Sequence, residues 1–151
     1  MKKILMAMVA VAAVAMAGSA EAAGSTTVGV TATVAGNCRF LTNGSISYAL
    51  DPATGGNATG TVTQPTFWCT KASAYTITDP GGQHDSGGSK RMKHAMLDEY
   101  IPYTFTFTAT GTGAGRGTTL SMDLASTVAE ADYINVSAGS YADSVILSIT
   151  P

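Results

Sequence analysis

Charged side chains are scarce in this chain. Aspartate, glutamate, lysine and arginine together make up 12% of the 151 residues, and the formal net charge at pH 7 is −2. A protein that binds nucleic acid needs a basic surface, because it must neutralise phosphate groups. The sparse and slightly acidic composition therefore argues against a nucleic-acid partner.

Residue types that carry catalysis or bind metals are also few. The chain has two histidines and two cysteines, with no CxxC or HExxH pattern. His84, Asp85 and Ser86 are adjacent in a glycine-rich loop, where no rigid shell would orient them as a triad. His94 has no metal-ligand spacing around it, so we expect a surface histidine. The sequence therefore predicts no enzyme activity, no metal site and no cofactor.

The only long hydrophobic run lies at the N-terminus. Lys2 and Lys3 precede the stretch ILMAMVAVAAVAMAG, and the small-residue site Ala20-Glu21-Ala22 follows it. These are the three parts of a secretory signal peptide, and the run is short for a membrane span. We expect residues 1–22 to direct export and the remainder to form one domain.

The cysteine count fits an exported protein. In an oxidising compartment, Cys38 and Cys69 most simply form a disulfide. A metal-binding or catalytic cysteine is the alternative, which is disfavoured because both histidines lie in a different segment. Closing this loop would stabilise the fold by about 3–4 kcal/mol in the chain-entropy description.

Alternation of apolar and polar residues is abundant. A period of two with one apolar face is typical of a half-buried antiparallel strand. The segments with this pattern lie near residues 28–35, 45–50, 61–69, 73–78, 101–109, 118–124 and 144–150. Glycine-rich turns separate them. Seven short strands divided by turns predict an all-β fold, an immunoglobulin-like antiparallel β-sandwich.

One segment departs from this alternation. In GSKRMKHAMLDEY, Met92, Met96 and Tyr100 are spaced by four residues, as on one face of a helix. A helical turn is one interpretation of the segment. An irregular crossing between strands is the interpretation that we favour, because the rest of the chain is strand-like.

Two predicted strands carry large apolar side chains on one face. The aromatic strand IPYTFTFTATG alternates with threonine, and the last strand alternates up to the C-terminus. The inward-facing residues are Tyr103, Phe105 and Phe107 in the first and Val145, Leu147 and Ile149 in the second. A small sandwich needs large inward side chains, so a core role is favoured for the aromatic stripe. A ligand groove is the alternative.

The first predicted strand raises the question of its partner. In TTVGVTATVAG, Val28, Val30, Ala32 and Val34 share one face, although the segment lies at an end of the exported chain that is normally loose. The strand either belongs to the sandwich of its own chain or pairs with another molecule. Taken alone, the residues favour the first of these.

The order of features resembles the spore coat protein U family, whose members include the pilin subunits of archaic chaperone–usher systems. The shared features are the alternating strand before the first cysteine, the second cysteine in FWCT, the Arg91-Met92 pair after a glycine-rich loop, and the ending AGSYADSVILSI. The resemblance covers nearly all of the exported chain. The chain departs from the family pattern in the aromatic strand and in the last residues, Ile149-Thr150-Pro151.

The resemblance implies a sandwich that is incomplete, because one strand is donated by a neighbour. A missing strand leaves an apolar groove, which the N-terminal extension of another subunit fills by strand addition. Residues 23–36 would then be the donor extension, and residues 37–151 the pilin domain. The implied donor residues are Val28, Val30, Ala32 and Val34. The implied groove residues are Phe105, Phe107, Val145, Leu147 and Ile149.

The function implied by the resemblance is that of a secreted structural subunit. Such subunits polymerise head-to-tail into a surface pilus or coat-like fibre of a Gram-negative bacterium, which serves adhesion and biofilm formation. The implied partners are identical or homologous pilin subunits, a periplasmic chaperone and an outer-membrane usher. The alternative is a self-contained secreted β-sandwich that binds a ligand such as a carbohydrate.

Overall fold

The computed structural model describes residues 24–151, so the predicted signal peptide lies outside the described residues. The chain divides between Thr33 and Val34 into two units. Residues 24–37 contain no strand or helix. The strand predicted over 28–35 is therefore absent from the single chain. The alternation defines two faces, but a strand also needs a partner for its main-chain hydrogen bonds, and alternation does not supply one.

The second unit, residues 34–151, consists of short β-strands and one helix among the described residues. The strands are β1 (Cys38–Phe40), β2 (Ser45–Ser47), β3 (Ala58–Thr59), β4 (Thr61–Thr63), β5 (Thr66–Cys69), β6 (Ala74–Thr78), β7 (Lys90–His94), β8 (Tyr100–Tyr103), β9 (Thr110–Thr112), β10 (Leu120–Ser121), β11 (Thr127–Val128), β12 (Tyr141–Ala142) and β13 (Ser148–Thr150). The helix is α1 (Glu130–Tyr133). No helix in the described part of the chain is long and apolar enough to cross a bilayer.

Every strand pairing in the unit is antiparallel. The strand orders of the five sheets are β1-β5-β10, β11-β3, β12-β7-β8, β13-β6-β9 and β2-β4. This arrangement confirms the predicted all-β, immunoglobulin-like sandwich. The strands are shorter than the sequence pattern suggested, because specific residues interrupt them.

Proline and a side-chain contact account for two of the interruptions. The strand predicted over 61–69 is divided into β4 and β5 next to Pro65, which has no N–H to donate to a ladder. The aromatic strand ends at Tyr103, and β9 begins only at Thr110. Between them the N–H of Thr108 donates to Oδ1 of Asp123 at 2.7 Å, so a side chain replaces a strand partner.

The prediction of an irregular crossing around residue 92 was wrong. Lys90–His94 is the strand β7, which forms a hairpin with β8 and places Met92 opposite Ile101. Basic residues occupy most positions of this strand, and Met92 is its one apolar residue. A single apolar residue cannot show an alternation with a period of two. The four-residue spacing of Met92, Met96 and Tyr100 reflects the hairpin turn and not a helix.

The interior of the unit contains two apolar clusters. The buried members of the first cluster are Phe67, Cys69, Ile77, Met122 and Leu124. Those of the second cluster are Ile101, Val128 and Tyr133. The predicted disulfide is confirmed: Cys38 and Cys69 are paired directly opposite each other in β1 and β5, with an S–S distance of 2.02 Å. The bond ties the start of the unit to the first cluster.

Candidate functional site

Residues 141–150 run as one extended segment that is paired on one side. β12 pairs with β7, Val145 forms a bridge with Gly82, and β13 pairs with β6. Both β12 and β13 are edge strands in their sheets, and within residues 34–151 no strand pairs with their other side. The segment 141–150 therefore presents an open strand edge.

Side chains along this segment alternate between two environments. Every second residue is half-buried, in the order Tyr141, Asp143, Val145, Leu147 and Ile149. The intervening residues are exposed, and the side chain of Ile146 is 72% exposed. The alternation that the sequence predicted for residues 145–149 is thus present, and the half-buried face carries Val145, Leu147 and Ile149.

A second open edge faces this segment. β2 belongs to a two-stranded sheet in which it pairs with β4 alone, and Ile46 and Tyr48 turn their side chains toward the last segment. Between the two edges lies a groove of about 580 Å³. Its apolar lining includes Phe40, Ile46, Tyr48, Met92, Phe105, Leu124, Val145 and Leu147. The groove is bounded on both sides by a strand that lacks one neighbour.

The structure places three of the five predicted groove residues in the lining. Val145, Leu147 and Phe105 line the groove, whereas Phe107 and Ile149 pack against the first core cluster outside it. The ring of Phe107 contacts that of Phe105 edge-to-face, with centroids 5.8 Å apart. Phe105 therefore packs against the first core cluster and also lines the groove.

Five of these apolar lining residues were not assigned to the groove from the sequence. They are Phe40, Ile46, Tyr48, Met92 and Leu124. Ile46 and Tyr48 alternate with polar residues, so the sequence identified their strand but not its neighbour. Ile46 and Tyr48 are separated from the last strand by most of the sequence of the unit. No local sequence pattern indicates which distant strands face each other.

One end of the groove is polar. The hydroxyl of Tyr103 donates to Oδ2 of Asp143 at 2.7 Å, and the N–H of His84 donates to Oδ1 at 3.2 Å. Burial raises the pKa of Tyr103, and its hydrogen bond to the Asp143 carboxylate raises that pKa further. A side chain at Gly82 would overlap the same carboxylate, so glycine allows the close approach. This end is therefore fixed by hydrogen bonds.

A buried hydroxyl pair holds the ring of Tyr48 in the opposite wall. The hydroxyl of Tyr48 contacts that of Ser126, which donates to the carbonyl oxygen of Thr104. Desolvation raises the pKa of Tyr48. The side chain of Ser126 is only 2% exposed, so these hydrogen bonds are shielded from water. The tyrosine ring is consequently held in one orientation along the groove.

The environment of His94 differs from the prediction. His94 was predicted to lie on the surface, but it is only 7% exposed. Its Nδ1 accepts hydrogen bonds from the N–H groups of Met96 and Leu97, both at 3.0 Å. The hairpin turn thus folds around the imidazole ring. Among residues 24–151, no cluster of three histidine, cysteine, aspartate or glutamate side chains is arranged to hold a metal ion.

The predicted donor residues are exposed apolar side chains. Val28, Val30 and Val34 are 78%, 89% and 82% exposed, and Ala32 is exposed as well. Scattered single apolar residues are common on protein surfaces, but a regular row of them is unusual. The row has the spacing of one face of a strand.

Comparison with known proteins identifies a family. A family profile described as the Spore Coat Protein U domain matches residues 25–148. No curated protein matches the chain. Among solved structures, the chain is similar to one in the crystal structure of the CsuC–CsuE chaperone–tip adhesion subunit pre-assembly complex from archaic chaperone–usher Csu pili of Acinetobacter baumannii, with 15% identity and a TM-score of 0.48. The similarity covers 78% of this chain and 40% of that chain.

Proposed function

The chain belongs to the Spore Coat Protein U family, and on that premise we propose that it is a subunit of a surface pilus or coat-like fibre. The proposal is carried by the groove between the open edge of β2 and the open edge of residues 141–150. In the proposed fibre, each groove receives a β-strand from a neighbouring subunit.

An added strand would satisfy both sides of the groove at once. Open strand edges expose main-chain groups that pair readily with another chain. Each new ladder hydrogen bond contributes about 0.5–1.5 kcal/mol net. Apolar side chains on the inserted strand would cover Phe105, Val145 and Leu147, which are only half-buried in the single chain. Strand addition is therefore a stronger use of this groove than the binding of a small polar ligand.

The occupant that we propose is residues 28–34 of another copy or of a homologous subunit. The segment has seven residues, as does the stretch 141–147, so both span about 20 Å when extended. It offers Val28, Val30 and Val34, and burial of each valine contributes about 1.5–3 kcal/mol. Length, spacing and apolar character thus match the groove.

Donor and acceptor are different surfaces of the subunit, which determines the type of assembly. A contact between unlike surfaces is heterologous, and it produces an open filament when the rotation does not close. Before assembly the groove would need a temporary cover, the role expected of a periplasmic chaperone, and an outer-membrane usher would export the subunit. Adhesion and biofilm formation at the cell surface are the processes that such a fibre serves.

Deletion of residues 23–34 tests the proposal. The shortened protein should still form a complex with its chaperone but should not form filaments, as judged by size-exclusion chromatography and electron microscopy. Val30→Asp should have the same effect, because it places a charge in the apolar groove. Thr31→Asp is the matched control, since it adds the same charge on the opposite face of the strand. Filaments formed by the deletion variant would overturn the proposal.

A cysteine pair distinguishes insertion into another copy from insertion into the same chain. Val30→Cys and Leu147→Cys are made in separate chains, which are then mixed during assembly and oxidised. A disulfide that joins one chain of each variant is expected in the mixture. If the chain instead refolds alone as a stable monomer and binds a carbohydrate saturably, it is a self-contained binding module, for which the groove volume is also suitable.

A further inference from the structure

The outer face of the β7–β8 hairpin carries a cluster of cations around one aromatic ring. Met92 packs in the second core cluster and His94 is 7% exposed, so these alternate residues of β7 point inward. Arg91 and Lys93 therefore lie on the outer face. Tyr100, directly opposite Lys93 in the ladder, lies on the same face.

The side chain of Arg91 is held in place with part of its hydrogen-bonding capacity unused. Its guanidinium carbon lies 4.3 Å from the centroid of the Tyr100 ring, and its Nε donates to the carbonyl oxygen of His84 at 3.0 Å. The ion pairs within residues 24–151 involve Lys90 and Lys93 but not Arg91. The two terminal amino groups of Arg91 thus have no protein acceptor among the described residues.

The surroundings of Tyr100 remain positively charged after internal pairing. Nζ of Lys93 lies 5.5 Å from the ring centroid, and the same Nζ lies 3.5 Å from Oδ1 of Asp98. The hydroxyl of Tyr100 donates to Asp98 at 2.9 Å. One carboxylate therefore faces two cations, in a chain whose net charge is negative.

We propose that Arg91, Lys93 and Tyr100 bind the oxyanion groups of an acidic polysaccharide. A guanidinium that is fixed at Nε presents its remaining donors as a fork, which matches the two oxygens of a carboxylate or sulfate. Nucleic acid is disfavoured, because the patch is small and the chain as a whole is acidic. An acidic polysaccharide carries one oxyanion group on every sugar or on every second sugar. This spacing suits a patch in which one guanidinium, that of Arg91, has free donors.

A single patch of this size binds weakly, so repetition matters. This expectation rests on the proposed function: in a fibre, the patches of successive subunits would bind successive anions of one polymer. Linked binding events of this kind raise the overall affinity without any new contact. The patch would then give the shaft of the fibre, and not only its end, an affinity for anionic matrices.

Binding of defined polymers to the protein tests this inference. The probes are polygalacturonate, which carries carboxylates, and dextran sulfate, with neutral dextran as the uncharged control. Arg91→Gln should weaken binding by about tenfold, because charge-assisted hydrogen bonds are lost. Arg91→Lys should weaken it less, since the charge remains and the fork is lost. Comparison of the two anionic probes decides between carboxylate and sulfate.

Arg116→Gln is the matched control. Arg116 also stacks on an aromatic ring, with its guanidinium carbon 5.8 Å from the Trp68 centroid, so this change removes the same charge from a similar contact elsewhere. Equal losses from both variants, equal binding of neutral dextran, or no binding to either anionic polymer would each overturn the inference. Polymer binding is measured for the subunit–chaperone complex as well as for filaments, so a loss of binding can be distinguished from a loss of assembly. Size-exclusion chromatography shows for every variant whether assembly occurs.

Discussion

The side-chain amide of Gln64 serves as a strand partner for Leu124. Its Nε2 donates to the Leu124 carbonyl oxygen at 2.9 Å, and its Oε1 accepts from the Leu124 N–H at 2.7 Å. Leu124 lies between β10 and β11, and its buried side chain lines the groove. One glutamine therefore fixes the backbone of a groove residue that no strand holds from that side.

Gln64→Ala should destabilise the protein by about 2 kcal/mol, because both main-chain groups of Leu124 lose their partner in a partly buried position. The shift of the unfolding midpoint in urea measures the change. Thr63→Val is the control, since Thr63 is exposed and valine preserves the branched side chain of a strand residue. Equal stability of Gln64→Ala and the wild type would show that the amide is dispensable.

Acid should loosen the connection between the β7–β8 hairpin and the segment before β12. The Glu99 carboxylate accepts hydrogen bonds from the N–H and the hydroxyl of Ser137 at 2.9 Å, and from the hydroxyl of Tyr141 at 3.0 Å. These hydrogen bonds lower the pKa of Glu99 below its ordinary value of 4.5, and those from Ser137 have the largest effect. The folded state therefore binds this proton less readily than the unfolded state.

The stabilisation by Glu99 is present above pH 4.5 and is lost as the pH falls through the lower pKa of the folded state. Unfolding curves measured between pH 7 and pH 3 should show this loss. Glu99→Gln should be less stable at pH 7 and should have a flatter pH dependence. Glu130→Gln serves as the control in the helix α1. A pH dependence that is identical in Glu99→Gln and the wild type would contradict the assignment.

Removal of the disulfide should cost about 3–4 kcal/mol in the chain-entropy description, for a sequence separation of 31 between Cys38 and Cys69. The double variant Cys38→Ala/Cys69→Ala tests this by chemical denaturation. Reduction of the wild-type protein with dithiothreitol should give the same loss without any substitution. A midpoint that neither treatment lowers would mean that β1 and the first core cluster hold together without the bond.

Strand faces in this protein could be predicted from the sequence, whereas strand partners could not. The alternation of Val145, Leu147 and Ile149 is local, and the structure has the same alternation in burial. The pairing of residues 141–142 with β7 and of 148–150 with β6 depends on contacts between distant segments. The groove combines both kinds of information, so its lining was predicted only in part.

Local signals also failed where a side chain replaces a backbone partner or where charge hides an apolar face. Asp123 ends the aromatic strand by binding Thr108, which no period of two reveals. In β7 the inward residues include Lys90, whose Nζ lies 2.8 Å from Oδ2 of Asp79. An inward lysine does not register as apolar, so the strand was not recognised.

Gly113 provides a sharp test of the packing beside the disulfide. Its N–H donates to the Ser73 carbonyl oxygen at 2.7 Å, and its own carbonyl accepts from the N–H of Ala72 at 2.9 Å. A Cβ at this position would overlap the carbonyl oxygen of Thr70 and would lie 2.8 Å from Cβ of Cys69. Neither neighbour is the flexible end of a side chain.

Gly113→Ala should therefore shift the backbone around Cys69 and destabilise the fold by about 1–3 kcal/mol, as overpacking of a core does. Gly117→Ala is the matched control four residues away, because no atom lies within 4 Å of a Cβ there. That variant should be as stable as the wild type or slightly more stable, since alanine restricts the unfolded chain. Both are compared by urea denaturation with the disulfide intact. If Gly113→Ala were as stable as Gly117→Ala, the segment that follows β9 would have to be free to move away from Thr70 and Cys69, and the packing around Gly113 would not be close.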